Sequence, residues 1–347
     1  MLRQTVIVAL ATLVLAGVVA PARGATSDPY FSKQWGLHKI RAEEAWALGN
    51  GSGSLIAVVD TGVDLTHPDL ATKLIVLPDA DFVEPKGTCK RNGQCVQDGA
   101  QDKNGHGTHV AGIAAAITNN GIGVAGVAPR ARILPVRVLD ADGEGGTVSG
   151  IASGIRYAAD KGARVVNLSL TFWPPGVDKL DRALGNLGPV YDAIDYAYAK
   201  GAVIVVAAGN DSFPLCAEPS AHPRVLCVGA TDRNDLRTFY SNSDATLSSQ
   251  YLVAPGGESL SCAGDIFSTY LRGVTSDCAE DGYEALSGTS MAAPFVSGVA
   301  AMLAAKGLTN DRIVTCIVSN TDDLGPPGRD LLFGYGRLNA LKAVSAC

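Results

Sequence analysis

Aromatic side chains are scarce in this 347-residue sequence, at 6%, and acidic and basic residues together reach only 18%. The formal net charge is −6, with 34 acidic residues against 28 basic. That balance, with so few rings, excludes the basic surfaces and stacking platforms by which nucleic acid or an anionic membrane is held. The eight cysteines include no Cys-x-x-Cys pair, which removes the usual signature of structural zinc and of dithiol redox chemistry. After its first two dozen residues the chain has no apolar run of the roughly twenty residues that a membrane span needs, and no such tail precedes Cys347. Internal repeats, low-complexity tracts and linkers are absent too, so nothing divides the remainder into separate domains.

Residues 1–24 do have a recognisable pattern, that of an export signal. Arg3 supplies the positive start and Val6 to Ala20 an apolar run, and Ala20-Pro21-Ala22 or Ala22-Arg23-Gly24 offers small residues for cleavage. Residues 25–347 are then expected to form one domain, outside the cytosol, without a membrane anchor and as a monomer. Losing the leader removes Arg3 and Arg23 and no acid, leaving a net charge of −8. An even number of cysteines fits that compartment, where disulfides persist. Pairing in sequence order gives Cys89–Cys95, Cys216–Cys227, Cys262–Cys278 and Cys316–Cys347, one connectivity among the many that eight cysteines allow.

Apolar, β-branched runs recur near 55–59, 133–138, 164–170, 203–208 and 225–230, and helical patterns lie between them near 107–117, 147–161 and 190–200. The alternation predicts an α/β fold, a parallel central sheet with helices on both faces. The polar segment 79–103 reads as a surface loop. Gly121-Ile122-Gly123-Val124-Ala125-Gly126 matches the dinucleotide pattern G-x-G-x-x-G, but it follows a helical stretch and Pro129 blocks a helix after it, so the context fails.

Three short stretches carry the chemistry. Asp60-Thr61-Gly62 ends the first strand run, and in an open parallel sheet the carboxyl ends of strands are where ligands bind. His106 stands between Gly105 and Gly107 at a helix start, where backbone can approach the ring closely. Ser290 precedes an apolar helix from Met291 to about Leu303 as its N-cap, with Pro294 in the first turn. Each has an ordinary structural reading on its own. Together they supply a carboxylate, an imidazole and a hydroxyl, the three groups that make an alcohol nucleophilic at neutral pH. The helix start beside Ser290 also offers unpaired N–H groups to a developing negative oxygen.

The words around these residues, in the order Asp, His, Ser, resemble those of the subtilisin-like serine peptidases, and the likeness spans nearly all of the chain after residue 27. The resemblance implies a secreted endopeptidase with protein or peptide substrates and broad specificity. In it Asp60, His106 and Ser290 act as the triad, and Asn210, closing Val203 to Gly209, donates its amide to the oxyanion. It also implies substrate strands at Gly143-Glu144-Gly145 and Ser169-Leu170-Thr171, with Ala207 and Gly209 bordering the same groove. Thr118 to Val124 looks like the family's Ca²⁺ loop: carbonyls of Thr118, Ile122 and Val124 and the side chain of Asn120 would ligate, joined by Asp69 and Asp28.

Two departures from the family stand out. Ser169-Leu170-Thr171-Phe172 replaces the usual Ser-Leu-Gly-Gly, which puts side chains on the pocket wall. Only about 35 residues separate the leader from Asp60, so no folded prosegment is expected between them. Glu144 and Glu218 are read as solvated acids rather than as selectors of basic substrates. Two rival readings remain: a processing protease with one cognate protein, and a subtilase-like binding protein without activity.

Overall fold

The structure, a computed structural model, describes residues 26–83, 99–143, 146–172, 187–247 and 249–347. The five expected apolar runs form β1 (Leu55–Asp60), β2 (Arg132–Arg137), β3 (Val165–Leu168), β4 (Val203–Ala207) and β5 (Val225–Thr231). With β6 (Gln250–Pro255) they make a six-stranded sheet in the order β2-β1-β3-β4-β5-β6, parallel throughout. The run expected to reach residue 170 stops pairing at Leu168, so Ser169, Leu170 and Thr171 lie just past the carboxyl end of β3.

Burial on both sheet faces explains why these strands are continuous apolar runs rather than alternating ones. Ile56 and Val58 point into one core and Ala57 and Val59 into the other. The second core is closed by α4 (Val148–Asp160) and α5 (Gly188–Ala199), which pack on each other. The first is closed by α1 (Trp35–Lys39), α2 (Ala42–Ala45), α3 (His106–Ala115), α6 (Thr289–Ala304), α7 (Asn310–Val318) and α8 (Ala340–Ala346). Of these, α6 is apolar on all sides because it is buried on all sides, against the sheet and against α3 and α7. Thr147 and Thr309 start α4 and α7 by accepting from Gly150 N and Arg312 N.

A separate antiparallel hairpin, β7 (Ile266–Thr269) and β8 (Tyr283–Leu286), lies on the far side of α3. His109, one turn after His106 on α3, joins the two strands: its Nε2 reaches the carbonyls of Ile266 and Glu284 at 3.0 and 3.1 Å. Ser268 and Thr269 donate back to the carbonyls of His109 and Thr108. Gly112 permits this approach, since a Cβ there would lie 2.2 Å from Thr269 Oγ1.

Three disulfides occur as expected, Cys216–Cys227, Cys262–Cys278 and Cys316–Cys347. The pairing of Cys89 with Cys95 lies outside the described residues, as do the leader and most of the segment read as a loop before His106. The glycine-rich stretch 121–126 connects α3 to β2 with no helix after it. Among the described residues no helix is long and apolar enough to cross a membrane.

The strand order sets where a site can form. From β1 the chain turns toward β2 on one side, and from β3 toward β4 on the other, so the carboxyl ends of these two neighbours open a crevice at the switch in direction. Asp60 ends one strand and Ser169 follows the other.

Candidate active site

Asp60 is fully buried at the end of β1. Its Oδ1 accepts from His106 Nδ1 at 2.7 Å and from Thr61 N at 2.8 Å. His106 opens α3 and keeps about a quarter of its side chain (26%) exposed to the crevice. Glycines make the contact possible. A Cβ on Gly107 would fall 2.1 Å from Gly62 O and 3.1 Å from Asp60 Cβ, and Gly105, at φ +106°, lies against the Tyr270 ring. Burial disfavours the imidazolium, but the Asp60 charge and hydrogen bond, with a smaller contribution from Asp102, outweigh it and raise the His106 pKa above its ordinary value. The Nδ1 proton is thereby committed to Asp60, and Nε2 is left as the basic nitrogen.

Ser290 sits inside the first turn of α6, not at its N-cap; that place belongs to Gly288, at φ +149°. The helix starts earlier than its apolar residues suggest because Thr289 and Ser290 continue it toward Asn210. Pro294 is accordingly past the first turn. Having no N–H, it leaves the Ser290 carbonyl without its intrahelical donor. Ser169 Oγ donates to that carbonyl at 2.8 Å. In the other direction Ser290 Oγ donates to Ser169 O at 3.1 Å. Among the hydrogen bonds of the described residues none joins Ser290 Oγ to His106 Nε2; the serine hydroxyl is turned to Ser169. A buried relay supports Ser169, with Asn167 Nδ2 donating to its hydroxyl at 3.0 Å and Ser297 Oγ donating to Asn167 Oδ1 at 2.7 Å.

Asn210, exposed just after β4, accepts through Oδ1 from both Thr289 N and Thr289 Oγ1 at 2.9 Å. This fixes the amide so that Nδ2 is the free end. A Cβ built on Gly288 would lie 3.6 Å from Asn210 Nδ2 and 3.7 Å from Ser290 N, so the two donors border one small space. Neither has an acceptor among the described residues. Two such donors beside a hydroxyl suit a carbonyl oxygen that becomes negative on attack.

A cleft of 740 Å³ runs past His106, bordered by Thr61, Gly143, Ser169, Leu170 and Thr171. Its apolar end is formed by Leu139, Ile151, Leu170 and Phe172. Phe172, the departure from the family pattern, is itself buried and bridges Glu218 through Phe172 N to Glu218 O at 2.8 Å. Ala207 is buried at the end of β4 and Gly209 follows it at φ +105°, where a Cβ would meet Asn242 Nδ2 at 2.4 Å. Gly145 and Glu144 lie outside the described residues. Glu218, read from sequence as a solvated acid, is buried and accepts from Tyr191 OH.

The expected Ca²⁺ ligands also converge. Asp28 and Asp69 are both buried. Asp28 accepts from the N–H groups of Asn119 and Asn120, and Asp69 from Val124 N at 2.8 Å and Tyr283 OH at 3.2 Å. Burial pushes the Asp69 carboxyl up to about 6, and the nearby Asp28 charge adds to that. The carbonyls of Thr118, Ile122 and Val124 accept no hydrogen bond among the described residues. A Cβ on Gly123 would strike Asp69 Oδ2 at 2.0 Å, so the loop closes over the carboxylate only with glycine there. Asn120 differs from expectation. Its Nδ2, not its oxygen, faces Asp69, at 2.6 Å, while Oδ1 accepts from Ile122 N. Two desolvated carboxylates and three unengaged carbonyls suit a hard cation, although the described residues hold no cluster of three His, Cys, Asp or Glu side chains.

Known proteins resemble this chain over most of its length. The profile of the subtilase family matches residues 51–336. Thermitase of Thermoactinomyces vulgaris is 42% identical over 319 residues, covering 92% of this chain and 98% of that protein. Subtilisin BL of Lederbergia lenta is 36% identical, covering 90% of this chain and 99% of that one. A solved protease structure from Pseudoalteromonas arctica superposes with a TM-score of 0.77 at 32% identity, over 92% of this chain and 99% of its own. The chain therefore belongs to the subtilase family and is a serine endopeptidase.

Proposed function

We propose that the protein is an exported endopeptidase of broad specificity in which Asp60, His106 and Ser290 form the catalytic triad. The observation that carries this is the 2.7 Å bond from His106 to a fully buried Asp60, in the same cleft as Ser169, whose hydroxyl and carbonyl both bond Ser290. His106 Nε2 takes the Ser290 proton as Oγ attacks the peptide carbonyl, and Asn210 Nδ2 and Ser290 N–H hold the resulting oxyanion. The imidazolium returns the proton to the leaving amine, and an acyl-enzyme remains. His106 then activates water to release it. Substrate lies along Ser169 to Thr171 and Gly143 as an added strand, with apolar side chains directed to Leu139, Ile151, Leu170 and Phe172. An apolar pocket on a long cleft supports broad cleavage better than recognition of one charged motif. Export rests on the leader-like residues 1–24 and the disulfides.

The site formed by Asp28, Asp69, Thr118, Asn120, Ile122 and Val124 is read as a Ca²⁺ site. When bound, the ion neutralises two buried carboxylates and ties the residue 28 segment to the loop after α3.

Casein digestion with mapping of the cut sites tests the assignment: Ser290→Ala abolishes cleavage, and Asn210→Ala lowers kcat by roughly 10²–10³, a magnitude established for a subtilisin, with KM little changed. Undiminished hydrolysis by Ser290→Ala refutes it. A second outcome concerns pH. His106 works as the neutral base and its pKa is raised, so kcat/KM falls as pH drops through a midpoint above the ordinary histidine value of about 6.5. Asp60→Asn moves that midpoint down. A flat profile between about pH 4 and 9 contradicts His106 as base. A third concerns the cation. Millimolar calcium raises the melting temperature and a chelator lowers it, and Asp69→Asn narrows the difference. Identical melting with and without calcium excludes the site.

A further inference from the structure

Segment 79–103 reads from sequence as a solvated loop, yet Asp102 near its end is almost wholly buried, 3% exposed. Its carboxylate takes five donors. Oδ1 accepts from Thr61 Oγ1 at 2.9 Å, Asn104 N at 2.9 Å and Gly105 N at 3.0 Å. Oδ2 accepts from Thr108 N at 3.0 Å and Thr108 Oγ1 at 2.6 Å. These donors come from both sides of the Asp60–His106 contact: Thr61 is the residue after Asp60, and Asn104 to Thr108 enclose His106. The lattice is closed by Thr61 Oγ1, which accepts from Gly107 N at 2.9 Å, and by Thr108 Oγ1, which accepts from Asp64 N at 2.8 Å.

We propose that Asp102 is a positioning residue for the His106 base, fixing the Asp60–His106 geometry through Thr61 and Thr108 and adding a second negative charge beneath the imidazole. The inference rests on His106 being the base and deepens that reading. A carboxylate is needed at this point because every group facing it is a donor. An amide of the same shape would present N–H to N–H and leave buried donors unpaired. Asp102 touches neither substrate nor the serine, so its action passes entirely through the imidazole. Other groups facing this region are few. Asp60 bonds His106 directly, Asp142 lines the same cleft, and Lys103 is exposed beside Asp102. From the hairpin side, His109 is held neutral by burial, and Tyr270 sits against Gly105 with its hydroxyl on Asn104 O. Glu284, behind them, is engaged by Ser276.

Steady-state kinetics across pH, with thermal melting as the folding control, test this in the full chain. Asp102→Asn lowers kcat roughly tenfold to a hundredfold while KM stays within about threefold, and its acid limb moves to lower pH. Thr61→Val, which keeps the Asp102 charge but cuts its link to Gly107, lowers kcat without moving the limb, and Thr61→Ser restores it. If Asp102→Asn does not fold, Thr61→Val against Thr61→Ser decides. Loss of melting temperature with kcat and limb unchanged in these variants overturns the inference and makes Asp102 merely structural. Ser290→Ala, run in parallel, separates the two levels. Activity there sinks the reading of the whole site, whereas an inactive Ser290→Ala beside unaffected Asp102→Asn and Thr61→Val sinks only the role of Asp102.

Discussion

A carboxylate with no solvent exposure at the end of a central strand is the constraint around which this molecule is arranged. An unpaired charge in that position costs several kcal/mol, so Asp60 demands donors that the sheet itself does not supply. Thr61 N and the His106 ring provide them, and only if the start of α3 is brought down onto the edge of β1. The glycines at 62, 105 and 107 follow from that closeness, because side chains on 105 and 107 would collide with Tyr270, Gly62 and Asp60. The hairpin β7–β8 then holds α3 from its other side through His109, Ser268 and Thr269.

The opposite wall of the crevice depends on a missing hydrogen. Pro294 cannot donate to Ser290 O, which frees that carbonyl for Ser169, and Asn167 and Ser297 extend the line into the core. The segment after β3 is therefore bound to the segment that carries Ser290 by side chains and not by the sheet. Through Thr289, the same helix start also orients Asn210. On the proposed reading, substrate strand, nucleophile and oxyanion donors thus share one rigid support, which is what a reaction sensitive to small misplacement requires.

How much of this was legible in the sequence depends on how local each signal is. Strands β1 to β5 declare themselves because both their faces are buried and the runs are long. β6 does not, because Gln250 and Pro255 bracket only four apolar residues, nor do β7 and β8, because each has four residues, with Ser268, Thr269 and Glu284 among them. Asp60, His106, Ser290 and Asn210, the residues of the proposed site, stand out by their neighbouring words. Asp102 does not, since a polar loop gives no sign that an acid will meet Thr61 from 41 positions away. Glu218 departs from its sequence reading for the same reason: Tyr191, which engages it, comes from α5, 27 positions earlier. The start of α6 lies earlier than the sequence suggests because Thr289 and Ser290 are polar and the tertiary bond to Asn210, not helix propensity, sets the first turn.

The central claim is that Ser290 is made reactive by His106, although its hydroxyl is turned to Ser169 in this structure. Stoichiometric treatment with a small sulfonyl fluoride, followed by peptide mass mapping, tests it most directly. The account predicts a single adduct on Ser290, formed in step with loss of hydrolysis and absent in His106→Ala. An adduct on a different serine, or full hydrolysis by a protein modified at Ser290, would contradict it.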